Sequence, residues 1–358
     1  MPLMKIFLFP FLISLFIGCH QRQPKHISSL PKNTDSTQNQ KIKETQYSDT
    51  QLEYFLDSIG RLPSETFMTG VSFHSDSIFK NQMALNDFLS PNDFLTLKKA
   101  VKSKSIDKVF AGKIFRNLET DSIYLKKDKL PLMFISFDQH KNDFNEFAVY
   151  IDNSNINEIC NLYFFKSNAL IAKHTINYRY GLSVDHFKDA DGKTVVYYKE
   201  NYESGSGIWW YNWYFYKYTD NKIIPILNEL ENSNLQYPWG LRVLRLESSI
   251  LKTNPLIIKM VYSQELADTS DFRHTLVNDS TIIRYKWNES SQTLDCDYSN
   301  SKLSRAQILS WYLTDNELLF MNSFQRTLHE NLNSATPIRN ATLSYLNAVK
   351  NSTHNKSH

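Results

Sequence analysis

YYKENYESGSGIWWYNWYFYKY, residues 197–218, is the densest aromatic stretch in the chain, with eleven of its 22 residues Tyr, Trp or Phe. From Trp209 onward, strand alternation places Trp209, Tyr211, Trp213 and Phe215 on one face and Trp210, Asn212, Tyr214 and Tyr216 on the other. Aromatic residues on both faces describe a strand covered on both sides. The alternative is a strand with one covered face and one open platform of rings, since Trp and Tyr stack on ligands and enrich interfaces. Trp209, Trp210, Tyr211, Trp213 and Tyr214 are therefore the candidate ligand-binding surface, suited to a glycan, a peptide or a protein. Gly205 and Gly207, just ahead of Trp209, read as a hairpin tip.

Moving outward, strand-like runs recur about every 10–15 residues, at 132–137, 147–151, 161–165, 169–176, 194–198, 241–246, 256–262 and 280–287. No long helical pattern lies between them, so antiparallel meanders are expected rather than a parallel sheet. The predicted class is α+β: a β-rich stretch over 113–300 flanked by helical segments at 51–112 and 301–350. An irregular β-propeller is the alternative. Asp189-Ala190-Asp191-Gly192-Lys193 before TVVYY weakly resembles the acidic hairpin of FG-GAP propeller repeats, and it occurs once.

Helices are signalled at both ends. Leu52, Phe55, Leu56, Ile59 and Leu62 have helical spacing. Ser90-Pro91-Asn92-Asp93 combines an N-cap, a first-turn proline and an acid, predicting a helix to about Lys104. Thr314-Asp315-Asn316-Glu317 reads as a capping box before Leu318, Met321, Phe324, Gln325, Leu328 and Leu332. Pro337 opens a last helix through Val349, and 351–358 reads as a disordered tail.

The first residues carry an address. Lys5 is followed by a 12-residue apolar run over 6–17, too short for a membrane span. The run ends Leu15-Phe16-Ile17-Gly18-Cys19. This stretch resembles the lipobox of bacterial lipoproteins, although Phe16 stands where that family usually has Leu. The resemblance implies cleavage before Cys19, acylation of Cys19, and anchoring to a membrane of the cell envelope through the acyl chains. His20, in place of an aspartate, implies the outer membrane of a Gram-negative bacterium. Residues 19–50 are polar and without period, and read as a flexible tether.

Composition closes several chemistries. Without residues 1–18 the chain has 39 basic against 37 acidic side chains, so nucleic acid is not an expected partner. Nine glycines provide no dinucleotide fingerprint and no P-loop. Neither His-Glu-x-x-His nor Gly-x-Ser-x-Gly occurs. Asp189, Asp191 and Glu200 lack the glycine and oxygen ligands of an EF-hand, so no metal and no cofactor is expected. His74, His174 and His186 fall in ordered stretches; His186 has Asp185, Asp189 and Asp191 nearby to raise its pKa. Cys160 and Cys296 are either a disulfide or two buried thiols. The expectation is an envelope lipoprotein that binds or scaffolds. The alternative is an envelope hydrolase whose site, including His186, assembles from distant residues.

Overall fold

The computed structural model describes residues 45–80, 82–115, 127–152, 159–177, 182–203, 209–236, 242–267, 274–291, 293–314 and 316–355. The stretch that resembles a lipobox, most of the expected tether, Gly205 and Gly207 of the expected hairpin tip, and the last three residues lie outside them. The body, from Thr45 onward, is α+β and β-rich. Eight helices are seen among the described residues: α1 (Asp49–Gly60), α2 (Ser64–Lys80), α3 (Pro91–Ser103), α4 (Lys108–Ile114), α5 (Arg305–Thr314), α6 (Glu317–Ser323), α7 (Gln325–Leu332) and α8 (Thr336–Asn355).

Six strands form a smaller antiparallel sheet: β1 (Met83–Phe88), β2 (Ser105–Asp107), β3 (Lys129–Ser136), β4 (Glu146–Ile151), β5 (Ile159–Lys166) and β6 (Ala169–Asn177), in the order β1-β6-β5-β4-β3-β2. The larger sheet is an uninterrupted antiparallel meander in which every strand lies beside its sequence neighbour. It comprises β7 (Val184–Lys188), β8 (Thr194–Glu203), β9 (Trp209–Tyr218), β10 (Ile223–Gln236), β11 (Arg242–Thr253), β12 (Leu256–Ala267), β13 (Thr275–Asn288) and β14 (Thr293–Cys296). One eight-stranded meander replaces the blades that a propeller would need.

The alternation of each strand sorts its side chains into layers. In β4 and β5, Phe147, Val149, Tyr163 and Phe165 face α3 and α4, where Leu97, Ala100, Ala111 and Phe115 close a first core. Their neighbours Ala148, Leu162 and Phe164 face the opposite way, against Val196, Tyr198, Tyr214, Tyr216 and Tyr218 of the larger sheet. The other face of that sheet carries Trp213, Phe215, Leu246, Ile258, Met260 and Ile283, packed on Leu56, Ile308, Trp311, Phe320, Leu328 and Leu346 from the helices. The order is helix, sheet, sheet, helix. Burying each of these large apolar side chains contributes roughly 1.5–3 kcal/mol.

The smaller sheet packs on the β8–β9 half of the larger one, leaving the outer face of β11–β13 uncovered. The larger sheet also coils strongly. β10 pairs with β11 only from Asn232↔Glu247 onward, and Lys217 of β9 lies over the Trp287 ring of β13, four strands away.

Local signals were realised with some changes. Ser90 caps α3, its hydroxyl accepting from the Asp93 amide at 3.1 Å. Near the C-terminus Asn316 is the cap, accepting from the Leu318 and Leu319 amides, and the expected single helix breaks at Phe324 into α6 and α7. Helix α8 continues past Asn351, which is buried, so the expected tail is helical as far as Asn355. The expected tether also ends early, because Thr45 and Tyr47 are already bonded to α8.

Candidate functional site

Strand β9 threads between two cores, and its exposure changes along its length. Trp213 is 4 % exposed and Tyr214 7 %, so both are core residues. Trp209, Trp210 and Tyr211, at the start of the strand, are half-buried. The rings of Trp209 and Tyr211 lie 5.2 Å apart at 44°. Trp210 packs against the helix-side core, whereas simple alternation assigns it to the face of Tyr214. At this point β10 carries an extra residue opposite β9, between Leu230 and Asn232. Such a bulge bends its strand and adds twist. A platform of five aromatics is therefore reduced to three at the rim.

Polar groups edge that rim. Lys199 reaches Glu231 at 2.8 Å and lies 5.5 Å from the Trp213 ring. Asn212 donates to the Tyr214 hydroxyl at 3.4 Å. Asn232 stands opposite Tyr211 across the β9–β10 ladder.

Elsewhere the buried charges are engaged with one another. Glu229, on β10, accepts from Arg305 Nε at 2.5 Å, from the Tyr285 hydroxyl, and from the Tyr262 hydroxyl at 3.4 Å. Arg305 also donates to the Asn228 carbonyl at 2.7 Å and to Ser72 at 2.9 Å, and it pairs with Asp76 at 3.2 Å. Burial alone would lower the Arg305 pKa, but Glu229, Tyr285 and Asp76 outweigh it and raise it. Removing one partner from such a pair strands a charge, which is why both ends are saturated.

The acidic hairpin behaves in the same way. Asp189 and Asp191 meet the fully buried Lys217 ammonium at 2.6 and 3.1 Å. The Lys193 amide donates to Asp189 Oδ1 at 2.8 Å, and Gly192 takes φ +72°, which a hairpin turn demands and glycine allows. The aspartates are thus occupied by a lysine. Among the described residues no group of three His, Cys, Asp or Glu is placed to hold a metal ion.

The three histidines part company. His74 is exposed on α2. His174, on β6, is buried between the sheets against Tyr216 and Phe164, its Nδ1 3.2 Å from the Tyr198 hydroxyl, and burial lowers its pKa to about 3. His186 was expected to be raised by its aspartates. Its pKa is instead lowered, first by burial, while Asp185 and Asp138 act to raise it and Lys188 to lower it. Asp189 and Asp191 are spent on Lys217.

Cys160 and Cys296 are both free. The disulfide expected as one alternative is not made, because Cys160 is buried in the smaller sheet while Cys296 is exposed on the edge strand β14 of the larger. Burial, then Asp152, pushes the Cys160 thiol up to about 12. Among the described residues no helix is long and apolar enough to cross a membrane. The chain matches no family model, no curated protein and no solved structure.

Proposed function

We propose that this is a lipid-anchored lipoprotein of the bacterial cell envelope, acylated on Cys19, whose body binds or scaffolds an extended ligand. The observation that carries the binding reading is the half-exposed aromatic rim of Trp209, Trp210 and Tyr211, edged by Asn232 and the Lys199–Glu231 pair. Half-buried rings with amide and charged groups beside them suit a sugar chain, which offers C–H faces for stacking and hydroxyls for hydrogen bonds. A peptide strand is the other ligand of that shape. The buried charge clusters support binding over catalysis, since Glu229 is committed to Arg305 and to tyrosines, and Lys217 to Asp189 and Asp191.

Two measurements test the two halves separately. Replacing Cys19 by Ser should move the protein from the detergent to the aqueous phase; unchanged partition contradicts the anchor. Titration of the intact protein with soluble cell-wall glycan fragments, and separately with a peptide library, should change its tryptophan emission. The response should weaken in Trp209→Ala/Tyr211→Ala. Emission indifferent to both ligand classes rejects the rim as a binding site.

A further inference from the structure

The uncovered outer face of β11–β13 has an uneven charge distribution. Cross-strand register sets its side chains in rungs. One rung is Lys252, Ile257 and Lys286; the next is Ser249, Lys259 and Arg284; the third is Glu247, Val261 and Ile282. Four cations therefore stand in two adjacent rungs across three strands. Lys252, Arg284 and Lys286 are exposed and Lys259 is half-buried. No ion pair among the described residues engages any of the four side chains. Three acids border the cluster without forming an ion pair with it: Asp295 stands across from Lys286 on β14 and is bonded to Asn288, Asp297 accepts from the Arg284 amide, and Glu247 lies one rung away. Cations and acids therefore nearly balance at the β14 edge, and the cations outnumber the acids more clearly on β11 and β12. Apolar side chains lie among the cations. Ile282 is 46 % exposed and Leu251, beside Lys252, 56 %.

Like charges this close repel, and the repulsion is relieved by an anionic partner. A second copy of the same face would set cations against cations. The whole chain is nearly neutral, so the cluster is a local feature and not a consequence of composition.

We infer that this basic, apolar-centred face docks the body on an anionic phospholipid surface. The inference rests on the lipid anchor proposed above, which fixes the occupant. About 25 residues separate Cys19 from Thr45, a contour of at most about 85 Å. The headgroups are thus always within reach, and tethering converts docking into an intramolecular event. Each cation near an anionic bilayer is worth about fivefold in partition, so four are worth several hundredfold. Ile282 and Leu251 would sit at the interface beside them. In this state the helical face of the larger sheet points away from the membrane.

The test is lysine footprinting of the full acylated protein in vesicles of phosphatidylcholine alone or mixed equally with phosphatidylglycerol. Amine-reactive labelling of Lys252, Lys259 and Lys286 is read by mass, with exposed Lys102 and Lys141 on the smaller-sheet side as controls. Labelling of the three should fall severalfold only with phosphatidylglycerol. It should recover near 1 M salt, where the screening length is about 3 Å, and in K259E/R284E the two lysines that remain, Lys252 and Lys286, should stay unprotected. Equal labelling in both membranes, or a fall at the control lysines alike, overturns the docking face. Protection by a soluble polyanion such as polyphosphate, without protection by vesicles, also overturns it. Acylation of the N-terminal peptide and flotation with neutral vesicles score the anchor separately. A floating protein without protection keeps the anchor and loses the dock. Protection by anionic vesicles without acylation does the reverse.

Discussion

His174 and Gln264 are single residues whose environments make opposite statements about stability. His174 is neutral in the fold because burial lowers its pKa from 6.5 to about 3. The unfolded chain therefore binds a proton that the folded chain refuses between these values. The resulting stability is fully present above pH 6.5 and is lost as pH falls towards 3. The shift corresponds to on the order of 4–5 kcal/mol, enough to matter against a typical net stability of about 5–15 kcal/mol. In denaturant titrations His174→Phe should flatten the loss between pH 6.5 and 4; an unchanged slope means that other groups drive acid unfolding. Gln264 is 1 % exposed on the helix-facing side of β12, and among the described residues neither amide atom has a partner. An unsatisfied buried amide costs about 1–3 kcal/mol. Gln264→Met, close in volume, should therefore raise the unfolding free energy by that order and with it the denaturation midpoint. A lowered midpoint would mean that the amide is satisfied in solution, for example by water.

At the scale of elements, β9 shows how far the sequence could be read. Its faces were legible because alternation needs only spacing: Trp213 and Phe215 face the helices, and Tyr214 and Tyr216 face the smaller sheet. The rim was not, since the displacement of Trp210 accompanies a bulge in the neighbouring strand. Strand β10 itself escaped detection for a related reason. Its buried positions include Asn228, Glu229, Glu231 and Ser233, so no apolar alternation marks it, and the partners that make Asn228, Glu229 and Glu231 tolerable lie on α2, β8, β13 and α5. Helix α2 was hidden by Gly70 and a run of Ser and Thr, which are weak helix formers. Helix α5 falls inside the stretch expected to be helical, but Arg305, Gln307 and Ser310 interrupt its apolar spacing, so its own bounds carried no clear signal. The exposure gradient along β9 gives a direct test. Trp213→Ala and Tyr214→Ala should each cost about 3–5 kcal/mol, as core truncations do, while Tyr211→Ala should cost clearly less. Equal large losses at all three positions in chemical melts would make the rim part of the core and remove it as a ligand surface.

For the whole molecule, the decisive feature is where the two ends of the body meet. Asn351 accepts from the Thr45 amide at 3.1 Å and donates to the Thr45 carbonyl at 2.9 Å, imitating a pair of strand hydrogen bonds with one side chain. Four residues earlier, one turn back on α8, Asn347 accepts from the Tyr47 amide at 3.1 Å. Lys350 lies 4.4 Å from the Tyr47 ring and Arg339 pairs with Asp49 at 2.8 Å, so α8 holds the incoming chain along much of its length. The sequence hid this clasp, because asparagines some 300 residues away carry no local signal of their partner. Its position has a mechanical consequence: any pull through residues 20–44 enters the body at Thr45 and is borne by α8. Each lost side-chain hydrogen bond costs about 0.5–1.5 kcal/mol, and more where a buried backbone group is stranded. Asn347→Ala/Asn351→Ala should therefore destabilise the body by roughly 2–4 kcal/mol. The same variant should also raise hydrogen exchange in α1 more than in the smaller sheet, since α1 begins four residues after Thr45 and packs on α8, whereas β3–β5 do neither. Uniform acceleration of exchange would mean that the clasp only sets global stability. Exchange confined to α1 would identify the α1–α8 pair as the part of the body that opens first.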